Sequence, residues 1–143
     1  MKTILIADDN KNIREYCRAA FEEEGYRVVL ARDGIEALRV FCAEAPDLAI
    51  LDISMPQAGG LDALEQIRRL APKIPAILYT AHDEDCLRDR RAALATACVE
   101  KSSDDLRDLK RTVAHALQSS HDETQGASLR QGLPPWPAKA ECS

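Results

Sequence analysis

Five residues able to do chemistry stand at the ends of short apolar runs. Thr3–Ala7 is followed by Asp8 and Asp9, Asp47–Leu51 by Asp52, Ala76–Tyr79 by Thr80, and Ala97–Glu100 by Lys101. If the runs lie side by side, three carboxylates converge. They repel one another and stay ionised only if a cation neutralises them or their pKa values rise. Oxygen-only donors select a hard ion, and a few carboxylates with open positions suit Mg²⁺, which keeps water ligands and accepts phosphoryl oxygens. Lys101 adds a compact positive charge that can pair with a carboxylate or a phosphoryl oxygen. Thr80 offers a hydroxyl able to donate to such an oxygen. An aspartate can itself attack phosphorus, and the transfer needs positioning and charge neutralisation more than covalent assistance. Asp52 stands between the acidic pair and the Thr80/Lys101 pair and is the expected acceptor.

Positioning these groups requires strands whose ends meet at one edge. Thr3–Ala7 is continuously apolar, as expected of a strand buried on both faces. Ile13, Tyr16, Cys17, Ala20 and Phe21 then follow the spacing of one helical face, with Gly25 at a C-cap position. Arg27–Ala31 reads as a second strand, and Asp33-Gly34 as a turn before a helix over 35–45 that Pro46 stops. Asp47–Asp52 is a third strand, and 55–60 a loop broken by Pro56, Gly59 and Gly60. Leu61, Leu64, Ile67 and Leu70 mark a third helix. Ala76–Thr80 is a fourth strand, 83 to about 94 a weaker, charged fourth helix, and Ala97–Glu100 a short fifth strand. Ser103, Asp104 and Asp105 suit a helix N-terminus. The inward stripe of that fifth helix is Leu106, Leu109, Val113, Ala116 and Leu117. Repeated short βα units imply right-handed crossovers and a parallel sheet covered on both faces. The expected fold is therefore α/β: an open, doubly wound (βα)₅ flavodoxin-like fold with strand order 2-1-3-4-5, which makes strands one and three neighbours and places ligands at the C-terminal strand ends.

The 143 residues suffice for one compact domain, and the 45% hydrophobic content supports a folded core. Residues 1–118 form the expected domain. Residues 119–143 are polar and then proline-rich around Trp136, as in a flexible or extended tail. A net charge of −5 argues against a nucleic-acid or anionic-membrane surface. The N-terminus reads as a strand rather than a signal peptide, and no apolar stretch is long enough for a membrane helix, so a cytoplasmic location is expected. The five cysteines, at 17, 42, 86, 98 and 142, are scattered without C-x-x-C spacing and read as mostly buried reduced thiols. His82, His115 and His121 lack metal-ligand spacing.

Taken together, Ile4–Asn10, Asp47–Pro56, Gly60-Leu61, Tyr79–Ala81 and Val99–Lys101 resemble the motifs of response regulator receiver domains of bacterial two-component systems, of the stand-alone, chemotaxis-regulator-like kind. The likeness runs from Lys2 to about Leu117. It implies that Asp52 accepts a phosphoryl group from the phosphohistidine of a histidine kinase or phosphotransfer protein. It further implies that Asp9 binds Mg²⁺ directly, Asp8 mainly through water, and the Ser54 backbone carbonyl completes the protein ligands. Thr80 and Lys101 would contact the phosphoryl oxygens, with Thr80 moving toward them as the switch step. Ser54 and His82, each two residues beyond a site residue, would tune the lifetime of the acyl phosphate.

Two positions depart from that pattern. Ser102 follows Lys101 where the family usually has proline, so the turn there is expected to be trans or differently shaped. Cys98 occupies the second switch position, usually Tyr or Phe, and 94–98 lacks glycine and is about one residue short. Output is therefore expected to leave by a face other than the one built from the fourth helix, fifth strand and fifth helix.

An Asp-Asp pair alone is commonly a turn and helix cap, and a lone lysine a solvated one. It is their joint occurrence at successive strand ends that carries weight. The leading expectation is a signalling switch rather than an enzyme, acting through an unidentified downstream protein, with homodimerisation left open. The alternative is a non-phosphorylated receiver-like interaction or dimerisation module, against which the intact acid set argues. An aspartate-nucleophile phosphatase would need a second acid two residues after the nucleophile, where Ser54 stands.

Overall fold

In a computed structural model of the protein, residues 1–55, 59–81, 88–101 and 106–123 are described, with side chains of the last helix described to position 118. Five strands, β1 (Thr3–Ala7), β2 (Arg27–Ala31), β3 (Leu48–Leu51), β4 (Ala76–Thr80) and β5 (Ala97–Glu100), form one parallel sheet in the order β2-β1-β3-β4-β5. Helices α1 (Lys11–Glu23), α2 (Gly34–Glu44), α3 (Gly60–Leu70) and α4 (Arg107–Glu123) cover it. The expected topology is the observed one.

Alternate strand residues feed two cores, as the two-residue period of a strand requires. Leu5, Ala7, Ala49, Leu51, Ala76 and Leu78 pack with Ala37 and Phe41 of α2 and Leu64 and Ile67 of α3. Ile4, Ile6, Leu48, Ile50, Ile77 and Tyr79 pack on the other face with Cys17 and Phe21 of α1 and Leu109 and Val113 of α4. The expected stripe of the last helix is buried: Leu106, Leu109, Val113, Ala116 and Leu117.

Three local differences from the sequence reading have physical causes. Where a fourth helix was expected, Arg90–Leu94 is a 3₁₀ helix (η1) with no buried residue. Its residues offer no apolar stripe to pack, and the segment takes a tight turn. Of the rest of that expected helix, Arg88 is α-helical and 83–87 lies outside the described residues, as do Ser103, Asp104 and Asp105. Second, α4 continues to Glu123, past the expected change of character at Ser119. Third, Cys42 and Cys98 each take part in a disulfide bond, and only Cys17, among the described cysteines, is a free thiol. Disulfide formation depends on Cβ proximity set by the tertiary fold, which sequence spacing does not reveal. No helix among the described residues is long and apolar enough to cross a membrane.

Candidate functional site

The site is assembled where β1 and β3 end side by side. The two strands pair from Ile4↔Leu48 to Ala7↔Leu51, and the Asp52 N–H donates to the Ala7 carbonyl at 2.9 Å. This registers Asp8 and Asp52 one residue past the sheet on adjacent strands. Asp8 is 2% and Asp52 6% exposed, while Asp9 faces solvent. One carboxylate oxygen from each of the three lies within 4.8 Å of the others.

Local backbone chemistry fixes the acids. Asn10 caps α1, its Oδ1 accepting from the N–H groups of Asn12 and Ile13 at 2.9 and 3.2 Å. The Asn10 N–H in turn donates to Asp8 Oδ1 at 2.9 Å. Arg14, one turn along α1, donates from its guanidinium to the Asp8 carbonyl at 2.8 Å. The Ser54 N–H points to Asp52 Oδ1 at 3.4 Å. The start of α3 presses on the same loop, with Gly60 N–H donating to the Ile53 carbonyl at 3.1 Å.

Lys101 approaches from β5. Its ammonium lies 2.7 Å from Asp8 Oδ2 and 3.4 Å from Asp52 Oδ2, and its backbone N–H donates to the Thr80 carbonyl at 2.6 Å. Thr80 is 2% exposed at the end of β4, the strand next to β3. One ammonium thus contacts two of the three clustered carboxylates. The imbalance registers on Asp52, whose carboxyl is pushed up to about 6, first by burial and then by the Asp8 charge, against the opposing pull of Lys101 and the Ser54 N–H. Behind the pocket, burial raises the Cys17 thiol to about 11.

The donor set fits Mg²⁺. Metal–oxygen distances of about 2.1 Å put two oxygens roughly 3 to 4 Å apart across one ion, so carboxylates already within 4.8 Å need only small rotations. All donors are hard oxygens, and the three clustered carboxylates carry negative charge that a cation would neutralise.

The structure therefore gathers Asp8, Asp9, Asp52 and Lys101, with Thr80 on the adjoining strand end and Ser54 in the loop after Asp52. His82 lies outside the described residues. Cys98 is exposed on β5, paired with Leu78, on the sheet face opposite Val99 and Lys101. Asn10 and Arg14 escaped the sequence reading. The Asn10 cap was available as an Asn directly before a helical pattern. Arg14 carried no signal, because its partner is a backbone carbonyl.

A doubly wound sheet thus collects acids, a hydroxyl and a lysine at its strand tips. Residues 4–114 match the family model of the response regulator receiver domain, and the chain belongs to that family. It is similar to response regulator MprA of Mycobacterium ulcerans, at 39% identity over 80 residues, 56% of this chain and 34% of that protein. The chain thus spans about a third of the length of the curated relatives it matches. Among solved structures it resembles response regulator TrrA from Thermotoga maritima in complex with Mg²⁺-BeF, with TM-score 0.76 and 38% identity over 81% of this chain and 99% of that one. TrrA in complex with the histidine kinase ThkA gives TM-score 0.74 and 39% identity, covering 82% and 99% of the two chains. A CheY-like receiver domain protein from Methanospirillum hungatei gives TM-score 0.76 and 28% identity over 86% of this chain and 98% of that one.

Proposed function

We propose that the protein is a phosphorylation switch in which Asp52 accepts a phosphoryl group from a histidine kinase or histidine phosphotransfer protein. The observation that carries this reading is the convergence of Asp8, Asp9 and Asp52 oxygens within 4.8 Å, with Lys101 against both buried carboxylates. Asp9, Asp8, Asp52 and the Ser54 carbonyl would hold Mg²⁺, which when bound neutralises charge on the phosphoryl oxygens. An Asp52 carboxylate oxygen attacks phosphorus as the donor's P–N bond breaks. The bonding pair returns to the imidazole, leaving a mixed carboxylic–phosphoric anhydride on Asp52. Lys101 then moves from Asp8 toward a phosphoryl oxygen, and the Thr80 hydroxyl donates to another. Ser54 and His82, two residues beyond Asp52 and Thr80 in the sequence, tune hydrolysis. The added charge, about −1.5 to −2 for an ordinary phosphate ester at neutral pH, is read out by a downstream protein. We place this activity in the cytoplasm, assign residues 1–118 to the switch and residues 119–143 to a tail, and read the chain as a signalling module rather than an enzyme. TrrA seen with a kinase and with Mg²⁺-BeF supports the choice of donor and cation.

Incubation with acetyl phosphate and Mg²⁺, followed by intact-mass measurement, tests this. A gain of one phosphoryl mass, lost on adding EDTA and in Asp52→Ala, is expected. No gain under conditions where the protein is folded would instead favour a non-phosphorylated interaction module.

A further inference from the structure

We propose that Tyr79 is a positioning residue for Lys101, holding its ammonium over the acidic pocket with the face of its ring. This rests on the phosphorylation reading above and adds a residue to it.

Lys101 has a long, rotatable stem, yet its side chain is only 16% exposed. Among the described residues its ammonium lies 2.7 Å from Asp8, 3.4 Å from Asp52 and 5.6 Å from the centroid of the Tyr79 ring. That last distance is within the range of a cation–π contact. The two carboxylates change role in the reaction, since Asp8 would help hold the cation and Asp52 becomes an acyl phosphate. The ring alone keeps its character throughout. It is also fixed in place: Tyr79 is 6% exposed and belongs to the core shared by α1 and α4. It pairs in register with Val99, two residues before Lys101, and so lies on the same face of the sheet. An aliphatic residue would fill this space but would not attract the ammonium. Position 98, where the family usually carries its aromatic switch residue, points to the opposite face and is a cysteine. The aromatic in contact with the site therefore lies on the α1/α4 side.

The test measures phosphorylation of the full chain by acetyl phosphate with Mg²⁺ in Tyr79→Leu and Tyr79→Phe, each also combined with Lys101→Met. The NMR shift of the Lys101 ε-methylene protons is followed in parallel. Tyr79→Leu is expected to slow phosphorylation about tenfold, Tyr79→Phe to rescue the rate, and the leucine effect to vanish when Lys101 is Met. The ring-current shift should persist in Tyr79→Phe and disappear in Tyr79→Leu. A leucine variant at the wild-type rate, an equal loss with and without Lys101, or a phenylalanine variant as slow as leucine would overturn the proposal. If the wild-type chain takes up no phosphoryl group, the phosphorylation reading fails. The proton shift then decides whether ring and ammonium meet: loss in Tyr79→Leu supports the contact, and no change overturns it.

Discussion

Asp52 is a carboxyl group placed where burial and a neighbouring carboxylate both oppose its ionisation. Its folded pKa of about 6 stands above the ordinary 3.8. A raised acid contributes stability below its unfolded pKa and loses that contribution as pH climbs through the folded one. At pH 7 the metal-free protein has therefore given up to about 3 kcal/mol of stability at this residue. Asp52→Asn, which cannot ionise, should unfold at higher temperature than wild type in EDTA at pH 7, with the gap closing below about pH 4. Mg²⁺ should raise the wild-type midpoint and leave the variant's nearly unmoved. Calorimetry across that pH range checks both. A variant less stable than wild type at pH 7 would show that the Lys101 ion pair outweighs desolvation. Asp8 and Asp9 were legible as candidate ligands from the sequence, because acids directly after an apolar run are conspicuous. The Asp52 shift was not, since burial and the nearby charge come from residues distant in sequence.

At the scale of elements, two backbone positions expose the cost of building this site. The amino end of α3 approaches the β3–α3 loop so closely that a Cβ on Gly60 would lie 2.1 Å from the Asp52 carbonyl oxygen. The obstacle is main chain and cannot rotate away. Gly60→Ala is expected to lower stability by about 2–4 kcal/mol and to impair phosphorylation by displacing the Asp52 backbone. Urea denaturation and the acetyl phosphate assay read the two effects separately. At the other end of the sheet, α2 terminates with Ala45 in the left-handed region, φ 45°, its N–H donating to the Phe41 carbonyl at 2.9 Å. Glycine is the usual residue there. Ala45→Gly should therefore stabilise the protein by about 1 kcal/mol, since it removes the Cβ clash of that conformation. An unchanged urea midpoint would count against that strain. The strands and the first three helices followed from periodicity and turn residues. The 3₁₀ helix did not, because a short charged segment without an apolar stripe takes its shape from its neighbours.

For the whole molecule, the stretch from α3 to β5 is joined through one side chain. The Arg68 guanidinium donates to the carbonyls of Leu94 at 2.7 Å, Ala71 at 3.4 Å and Ile74, and to Thr96 Oγ1 at 3.4 Å. It thereby ties the end of α3, the approach to β4 and the entry to β5. Thr96 Oγ1 also accepts from the Ala76 N–H at 3.0 Å. Arg68→Ala would leave several of these carbonyls without a donor and is expected to cost about 2 kcal/mol. Hydrogen exchange should rise first in β5 and the adjoining end of β4. A uniform rise across the sheet would argue against a local tie. Arg91 adds ion pairs from η1 to Asp62 and Glu65 of α3, exposed enough that solvent screens them.

Apolar runs along the chain marked five strands, and the acids, hydroxyl and lysine placed just beyond them named the candidate chemistry. Both are properties of neighbouring residues, carried by the period of the chain and the type of side chain. Tertiary structure alone decided which groups touch: Arg14 on the Asp8 carbonyl, Tyr79 beneath Lys101, Arg68 across three connections, and the disulfide state of Cys42 and Cys98. Tyr79 and Lys101, or Arg68 and Thr96, are far apart in the sequence and meet only in the folded chain. Burial and charge at a given carboxylate depend on such contacts, so no local pattern encodes them.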